Sequence, residues 1–364
     1  MKANKAESPN IGTIIEADDE IVPEEKIPLN ITPATINTNL PLIHLYRQHI
    51  WKKQRWFNSK LKEWLDKAKP DLIFFHCSNS MFMFDIATTC ASYLGVPIIF
   101  EIADDYYFFS HFSLDVFYYI YRSRYKTVFK KMIHRSSGII YLTNKMKRRY
   151  DDFFGTDGVP VYISSTMQMS KWNGEKRVFR YFGNVDSGRA STLRKIGKAF
   201  ARLNLTIEVY CPSSNINGLS KLRKSAGITL KSPLPYNKIK EEISKTDVLI
   251  YIETFKQRFA KQVEYSLSTK MADYLSSGKP VLAFGSKVAG AISFLEETKS
   301  AVVIDNPRMI EKEVLKFFSN DFDIDSILNS ASQTVSRYFV KAVNETVSND
   351  LIEKVVDKTR NKII

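Results

Sequence analysis

The sequence predicts an α/β protein built as two successive β-α repeats, and three observations carry that prediction. From residue 69 onward short apolar runs alternate with longer amphipathic stretches, the pattern of a parallel sheet covered by helices. A polar stretch over 164–176 interrupts the alternation, which then restarts. With 364 residues, of which 44% are hydrophobic and 13% aromatic, the chain has material for two buried cores.

In the first repeat the runs 72–75, 97–102 and 138–142 are expected strands, and 81–94 and 114–134 carry apolar residues at helical spacing. Gly95, followed by Val96 and Pro97, stops the first of these helices ahead of the next strand. The second repeat opens with a strand over 179–182, a helix over 192–203 and a strand over 206–211. The segment 234–247 then reads as a loop entering a helix. A strand over 248–252, a helix over 268–277 and strands over 281–284 and 301–304 complete the repeat, and 325–358 reads as helical. The first forty residues differ. They are acidic and then proline-punctuated, without the strand and glycine-rich loop that usually open such a domain. The expected organisation is therefore a first domain over 1–165 with an atypical or truncated start, a second over 175–335, and a helical segment over 336–364 packing back on the first.

Fifty-three Lys and Arg against 39 Asp and Glu give a net charge of +14, a field that attracts phosphate wherever it is carried. Nucleic acid, anionic lipid headgroups and nucleotide diphosphates all satisfy that demand, and a basic proteome rich in Lys, Asn and Ile gives the same charge without one. No zinc-finger, RNP-type or glycine–lysine loop motif accompanies the charge, so nucleic acid is not the expected partner. No run of eighteen uncharged apolar residues occurs and the N-terminus is polar, which predicts neither secretion nor a membrane span. Cys77, Cys90 and Cys211 are widely spaced without CxxC or Cys/His clustering, so they read as reduced cytoplasmic thiols rather than a disulfide framework or zinc site.

The richest segment for chemistry is YSLSTKMADYLSSGKPVLAFG, 265–285. Ser266, Ser268 and Thr269 precede a helix whose free N–H groups and positive dipole end suit a diphosphate, and Lys270 adds a point charge. Asp273, one turn further in, is placed to accept hydrogen bonds from ribose hydroxyls. Gly278-Lys279-Pro280 ends the helix and launches the strand. An ordinary N-capped helix packed on a sheet accounts for the same pattern. RYFGNVDSGRASTLRKIGKAF, 180–200, places Gly183 where backbone must approach a ligand, with Arg189 or Lys195 for charge-assisted bonds to phosphate. A third segment, TLKSPLPYNKIKEEISKTDVLIYIE, runs over 229–253.

In this order the three segments resemble the donor half of retaining GT-B glycosyltransferases of family four, whose helix reads roughly K-l-x-E-Y-m-A-x-G-K-P-V. The resemblance implies two Rossmann-like domains facing each other across a cleft, with the nucleotide-sugar donor in the second. It implies that Ser266, Ser268, Thr269 and Lys270 meet the diphosphate and that Asp273 holds the ribose. Gly183, Asn184 and Arg189 would form the phosphate loop, and Pro235 and Tyr236 would sit beside the base. Thr246-Asp247-Val248 would begin a strand. The chain departs from the pattern in three places: Asp273 stands for a glutamate, Tyr265 stands for an earlier glutamate with Glu264 offset by one, and the family's first basic residue falls on Asn184. Arg189 therefore carries the heavier expectation, and Glu253 is a second candidate for contact with the transferred sugar.

KPDLIFFHC, LGVPIIFEIADDYY and GIIYLTNKMKRRY also resemble the acceptor half of these enzymes. His76 and Asp104 stand at strand ends and are the acceptor-side catalytic candidates, a hydrogen-bonded strand-end histidine being the alternative for His76. Asp104 and Asp105 as a pair suit Mg²⁺ or Mn²⁺, but adjacent side chains diverge and the family works without such a metal. Neither metal nor cofactor is expected, and the donor base is expected to be uridine, as UDP. The stretches 46–69 and 112–135 carry Trp, Phe and Tyr among Lys and Arg at helical spacing. Such helices lie at an anionic membrane surface or pack their rings on their own sheet.

The resemblance implies transfer of a hexose-type sugar, with retention, to a glycan or lipid-linked glycan at the inner face of the cell membrane, in surface polysaccharide or glycoconjugate synthesis. The alternative is a catalytically inactive sugar-nucleotide-binding or assembly protein of the same fold, to which Tyr265 and the atypical start both point.

Overall fold

The computed structural model describes residues 41–212 and 216–361. The expected atypical opening over the first forty residues lies outside the described residues. The described residues form two compact units: one takes 41–101 with 106–139 and 352–361, the other takes 102–105 with 140–212 and 216–351. The polar stretch 164–176 lies within the second unit.

The first sheet orders its strands β1 (Ile73–His76), β2 (Ile98–Ile102), β3 (Gly138–Tyr141) and β4 (Val159–Pro160). β1 pairs parallel with β2, and β3 with β4. The first three strands match expectation to within a residue or two; the two-residue β4 is too short to leave a pattern. The helix Met81–Leu94 ends on Gly95, whose φ of 72° is the left-handed stop anticipated from sequence. The helix Val116–Arg135 begins two residues later than its apolar spacing suggests, because Asp115 caps it by accepting from the Phe117 N–H at 2.9 Å. Tyr118, Tyr121, Tyr125, Phe129, Met132 and Ile133 of this helix are buried. Phe84 meets Tyr125 edge-on at 5.6 Å, while Phe75 stacks on Phe100 at 5.5 Å. Burying each such ring contributes about 1.5–3 kcal/mol. Phe112, Leu114 and Val116 at the start of the segment are 81%, 90% and 68% exposed. The packing alternative for 112–135 thus describes its inward face, while the leading end stays bare.

The second unit carries a six-stranded parallel sheet of β5 (Phe179–Phe182), β6 (Ile207–Tyr210), β7 (Ile228–Lys231), β8 (Val248–Ile252), β9 (Val281–Phe284) and β10 (Val302–Ile304). The order β10-β9-β8-β5-β6-β7 puts the first strand beside the fourth, the doubly wound arrangement whose switch point lies between them. Strand alternation fills both faces. Val248, Ile250 and Ile252 enter one core cluster, Leu249 and Tyr251 the other. Asp247 fastens the start of β8 to β5 by accepting from the Arg177 and Val178 N–H groups at 3.0 and 2.9 Å. The edge strand β7 was not expected; half exposed, it shows no apolar run, and Lys231 pairs with Glu208 of β6 at 2.9 Å. The helix Arg189–Arg202 starts three residues earlier than expected, since Gly188 at φ 87° turns the chain into it. The helical end of the chain is split into Ile324–Tyr338 and Lys341–Arg360, because Phe339 at the break is buried in the core. Near its end Arg360 reaches Asp71 at 3.0 Å. Among the described residues no helix is long and apolar enough to cross a membrane.

Candidate functional site

The switch-point rule directs attention to the C-terminal ends of β5 and β8. Gly183 follows β5 at φ 141°, then comes Asn184, and Arg189 is the first residue of the next helix. Glu253 follows β8 and is 3% exposed. Arg189 donates from Nε and Nη2 to Glu253 Oε2 at 3.1 and 2.8 Å, and from Nη1 to Asn184 Oδ1 at 3.0 Å. Tyr251 donates its hydroxyl to Glu253 Oε1 at 3.2 Å. The guanidinium is therefore held from several sides. Burial works against its charge, but Glu253 beside it raises the Arg189 pKa nonetheless.

Lys270 reaches the same place from the first turn of the helix Thr269–Ser276. Its Nζ donates to the Tyr181 hydroxyl at 3.2 Å and lies over the Tyr181 and Tyr251 rings at 4.6 and 5.4 Å. Burial, assisted by repulsion from Arg189, pushes its pKa down to about 8. A Cβ on Gly183 would stand 2.8 Å from that Nζ and displace it, and the φ of 141° itself favours glycine. Ser268 heads the helix without a side-chain capping bond, which sets this end apart from an ordinary N-capped helix.

These groups line one end of a pocket of about 300 Å³: Gly183, Asn184, Arg189, Ser268, Thr269 and Lys270. Tyr210, Pro212, Pro233 and Leu234 line another part, and Tyr210 stacks on Phe182 at 4.9 Å. Asp273 and Tyr236 also line it. Asp273 Oδ2 accepts from the Tyr236 hydroxyl at 2.9 Å and Oδ1 from Ser165 Oγ at 2.6 Å. One pocket thus offers cations and a helix N-terminus, a carboxylate, and an apolar aromatic wall, the three demands of phosphate, ribose and base.

The remaining sequence candidates lie elsewhere. Glu253 stands behind Arg189 and does not line the pocket. Pro235 is the N-cap of the helix Tyr236–Ser244, while its neighbours Pro233 and Leu234 face the pocket. Lys195 lies over the Phe255 ring at 5.9 Å. Ser266 donates to Asp104 Oδ1 at 3.0 Å. His76, whose side chain is 60% exposed at the end of β1 in the other unit, meets Glu101 Oε2 through Nδ1 at 2.6 Å. Tyr181 and Tyr251 were missed from the sequence. Each stands two residues before a strand-end group, Gly183 and Glu253, and that period-two offset was the signal available.

Residues 18–164 match the family described as Glycosyltransferase Family 4. No curated protein matches the chain by sequence. Among solved structures the chain is similar to TarM, with a TM-score of 0.52 and 13% identity over 84% of this chain and 57% of that one. The chain therefore spans little more than half of TarM. It is also similar to Anabaena HepE in complex with UDP, with a TM-score of 0.58 and 11% identity over 86% of this chain and 88% of that one. A glycosyltransferase from Rickettsia africae gives 0.55 and 10% identity over 90% and 84%. At these identities the structures establish the fold alone: the chain has the GT-B fold, and its residues 18–164 carry the match to Glycosyltransferase Family 4.

Proposed function

We propose that the chain transfers a hexose-type sugar from a UDP-sugar to a glycan or lipid-linked glycan acceptor, with retention of anomeric configuration. The observation that carries this is the pocket that unites Arg189, Lys270, a helix N-terminus and Asp273. As the bond from the anomeric carbon to the diphosphate breaks, negative charge grows on the departing oxygen. Arg189, fixed by Glu253 and Asn184, and Lys270 stand ready for it without reorganisation. Glu253, bonded to Arg189 and Tyr251, is a positioning residue in this scheme. Asp273 and Tyr236 would hold the ribose and the base side. Anabaena HepE has been solved with UDP and with UDP-glucose, and S. aureus TarM with UDP, which supports uridine as the base.

The diphosphate charge is met by protein cations, so the scheme contains no metal and turnover should survive a chelator. His76 and Asp104 are assigned to the acceptor side, Asp104 through its bond to Ser266. The exposed Phe112, Leu114 and Val116, followed on the same segment by exposed Arg124, Lys130 and Lys131, fit contact with an anionic membrane surface in the cytoplasm. Synthesis of a surface polysaccharide or glycoconjugate follows from such a placement. The test is turnover of UDP-, GDP- and dTDP-sugars with a lipid-linked acceptor in anionic vesicles, the product anomer being read by NMR. UDP-sugar consumption with a retained anomer is expected. Binding without turnover on any donor or acceptor would overturn the proposal in favour of a sugar-nucleotide-binding protein.

A further inference from the structure

A second pocket, of about 360 Å³, opens in the same compact unit. Leu267 lines it, whereas the next residue, Ser268, lines the donor pocket. Three cations border it, Lys145, Arg148 and Arg337, against one carboxylate, Glu297. Lys145 Nζ donates to Ser293 Oγ at 3.4 Å and lies over the Tyr265 ring at 5.7 Å; Arg337 lies over Tyr338 at 5.2 Å. Among the described residues none of the three cations has an ion pair. In the donor pocket, by contrast, one of the two cations, Arg189, is neutralised by Glu253. A net positive charge facing a cavity invites an anion.

The rest of the lining says what carries the anion. Tyr162, Phe294 and Tyr338 form a cluster of tilted rings with centroids 4.7 to 6.1 Å apart, an apolar side to the pocket that suits the C–H groups of a sugar ring. Ser293, Thr298 and Ser330 add hydroxyls that bond sugar hydroxyls as donor or acceptor. A bare phosphate would leave the rings unused, whereas a charged saccharide engages the cations, the hydroxyls and the rings together. We propose that this pocket binds an acidic saccharide, the anion-bearing part of the acceptor glycan. The acceptor role rests on the proposed transfer reaction; the binding itself does not.

Isothermal titration of the full chain with a hyaluronan tetrasaccharide and with glucose 6-phosphate samples carboxylate and phosphate as the anion, and neutral chitotetraose is the control. At least one acidic probe should bind about tenfold more tightly than the control. Lys145→Gln and Arg337→Gln should each weaken that probe about tenfold, Lys145→Arg should restore it, and Glu297→Gln should tighten it, with UDP affinity unchanged throughout. Equal affinity for neutral and acidic saccharide, acidic binding unmoved by both Gln variants, or parallel loss of UDP binding would overturn the assignment. Should wild-type protein bind the acidic probe but not UDP, this site stands and the donor reading falls.

Discussion

Two strand ends of this chain both present an acid beside a base, and they do so under opposite conditions. At the end of β1, His76 meets Glu101 on the neighbouring strand with side chains 60% and 29% exposed. At the ends of β5 and β8, Arg189 meets Glu253 with side chains 15% and 4% exposed, ringed by Tyr181, Tyr251 and Lys270. Water screens the first pair and leaves it little energy of its own. The second is withdrawn from water, so each partner depends on the other and the geometry is fixed in advance. Charge is preorganised where the proposed diphosphate would leave, and it is left adjustable at the end of β1, on the proposed acceptor side.

The comparison breaks most visibly at Arg189. Removing it by Arg189→Ala leaves Glu253 buried and uncompensated, a cost of about 3–5 kcal/mol. In thermal denaturation that corresponds to a Tm lower by roughly 10 °C; adding Glu253→Gln should recover part of it, and no loss in the single variant would show that the pair is not preorganised. Gly183→Ala places a methyl at φ 141° and 2.8 Å from Lys270 Nζ. Backbone strain of about 1–3 kcal/mol and a displaced ammonium should weaken UDP binding at least about tenfold.

A pH series sharpens the electrostatic half of the comparison. Lys270 titrates at about 8 in the free protein, and a bound diphosphate raises that value by favouring the ammonium. Affinity is thus fully present below about pH 8 and falls above it, by up to about tenfold per pH unit, since binding must then take up a proton. Lys270→Arg should flatten the profile, and a wild-type profile flat through pH 9 would contradict the assignment. The smallest effect is expected at the other strand end: His76→Ala should leave UDP affinity within about twofold and Tm nearly unchanged.

Much of the donor pocket was legible because its groups sit at strand-loop-helix junctions, which local sequence marks with glycine and hydroxyl residues. Gly183, Arg189, Lys270 and Asp273 are all of that kind. Glu253 was legible as a strand-end carboxylate but not as the partner of Arg189, which lies 64 positions away and meets it only because β5 and β8 are neighbours. Pro235 was named where Pro233 and Leu234 face the pocket, an offset of one or two residues that a proline-bearing loop does not resolve by pattern. β7 was missed because a half-exposed edge strand has no apolar run to show. The second pocket was invisible from sequence, since its walls come from five separated segments that meet only in the fold.

The account stands most directly on Lys270. UDP titrated calorimetrically at pH 7 into wild-type protein and into Lys270→Met, with circular dichroism confirming the fold of both, isolates the ammonium in a pocket whose shape is preserved. A loss of about a hundredfold or more in affinity is predicted, the scale for removing one buried charge-assisted partner. Equal UDP affinity in the two folded proteins would contradict it and move the diphosphate away from the switch point of the second sheet.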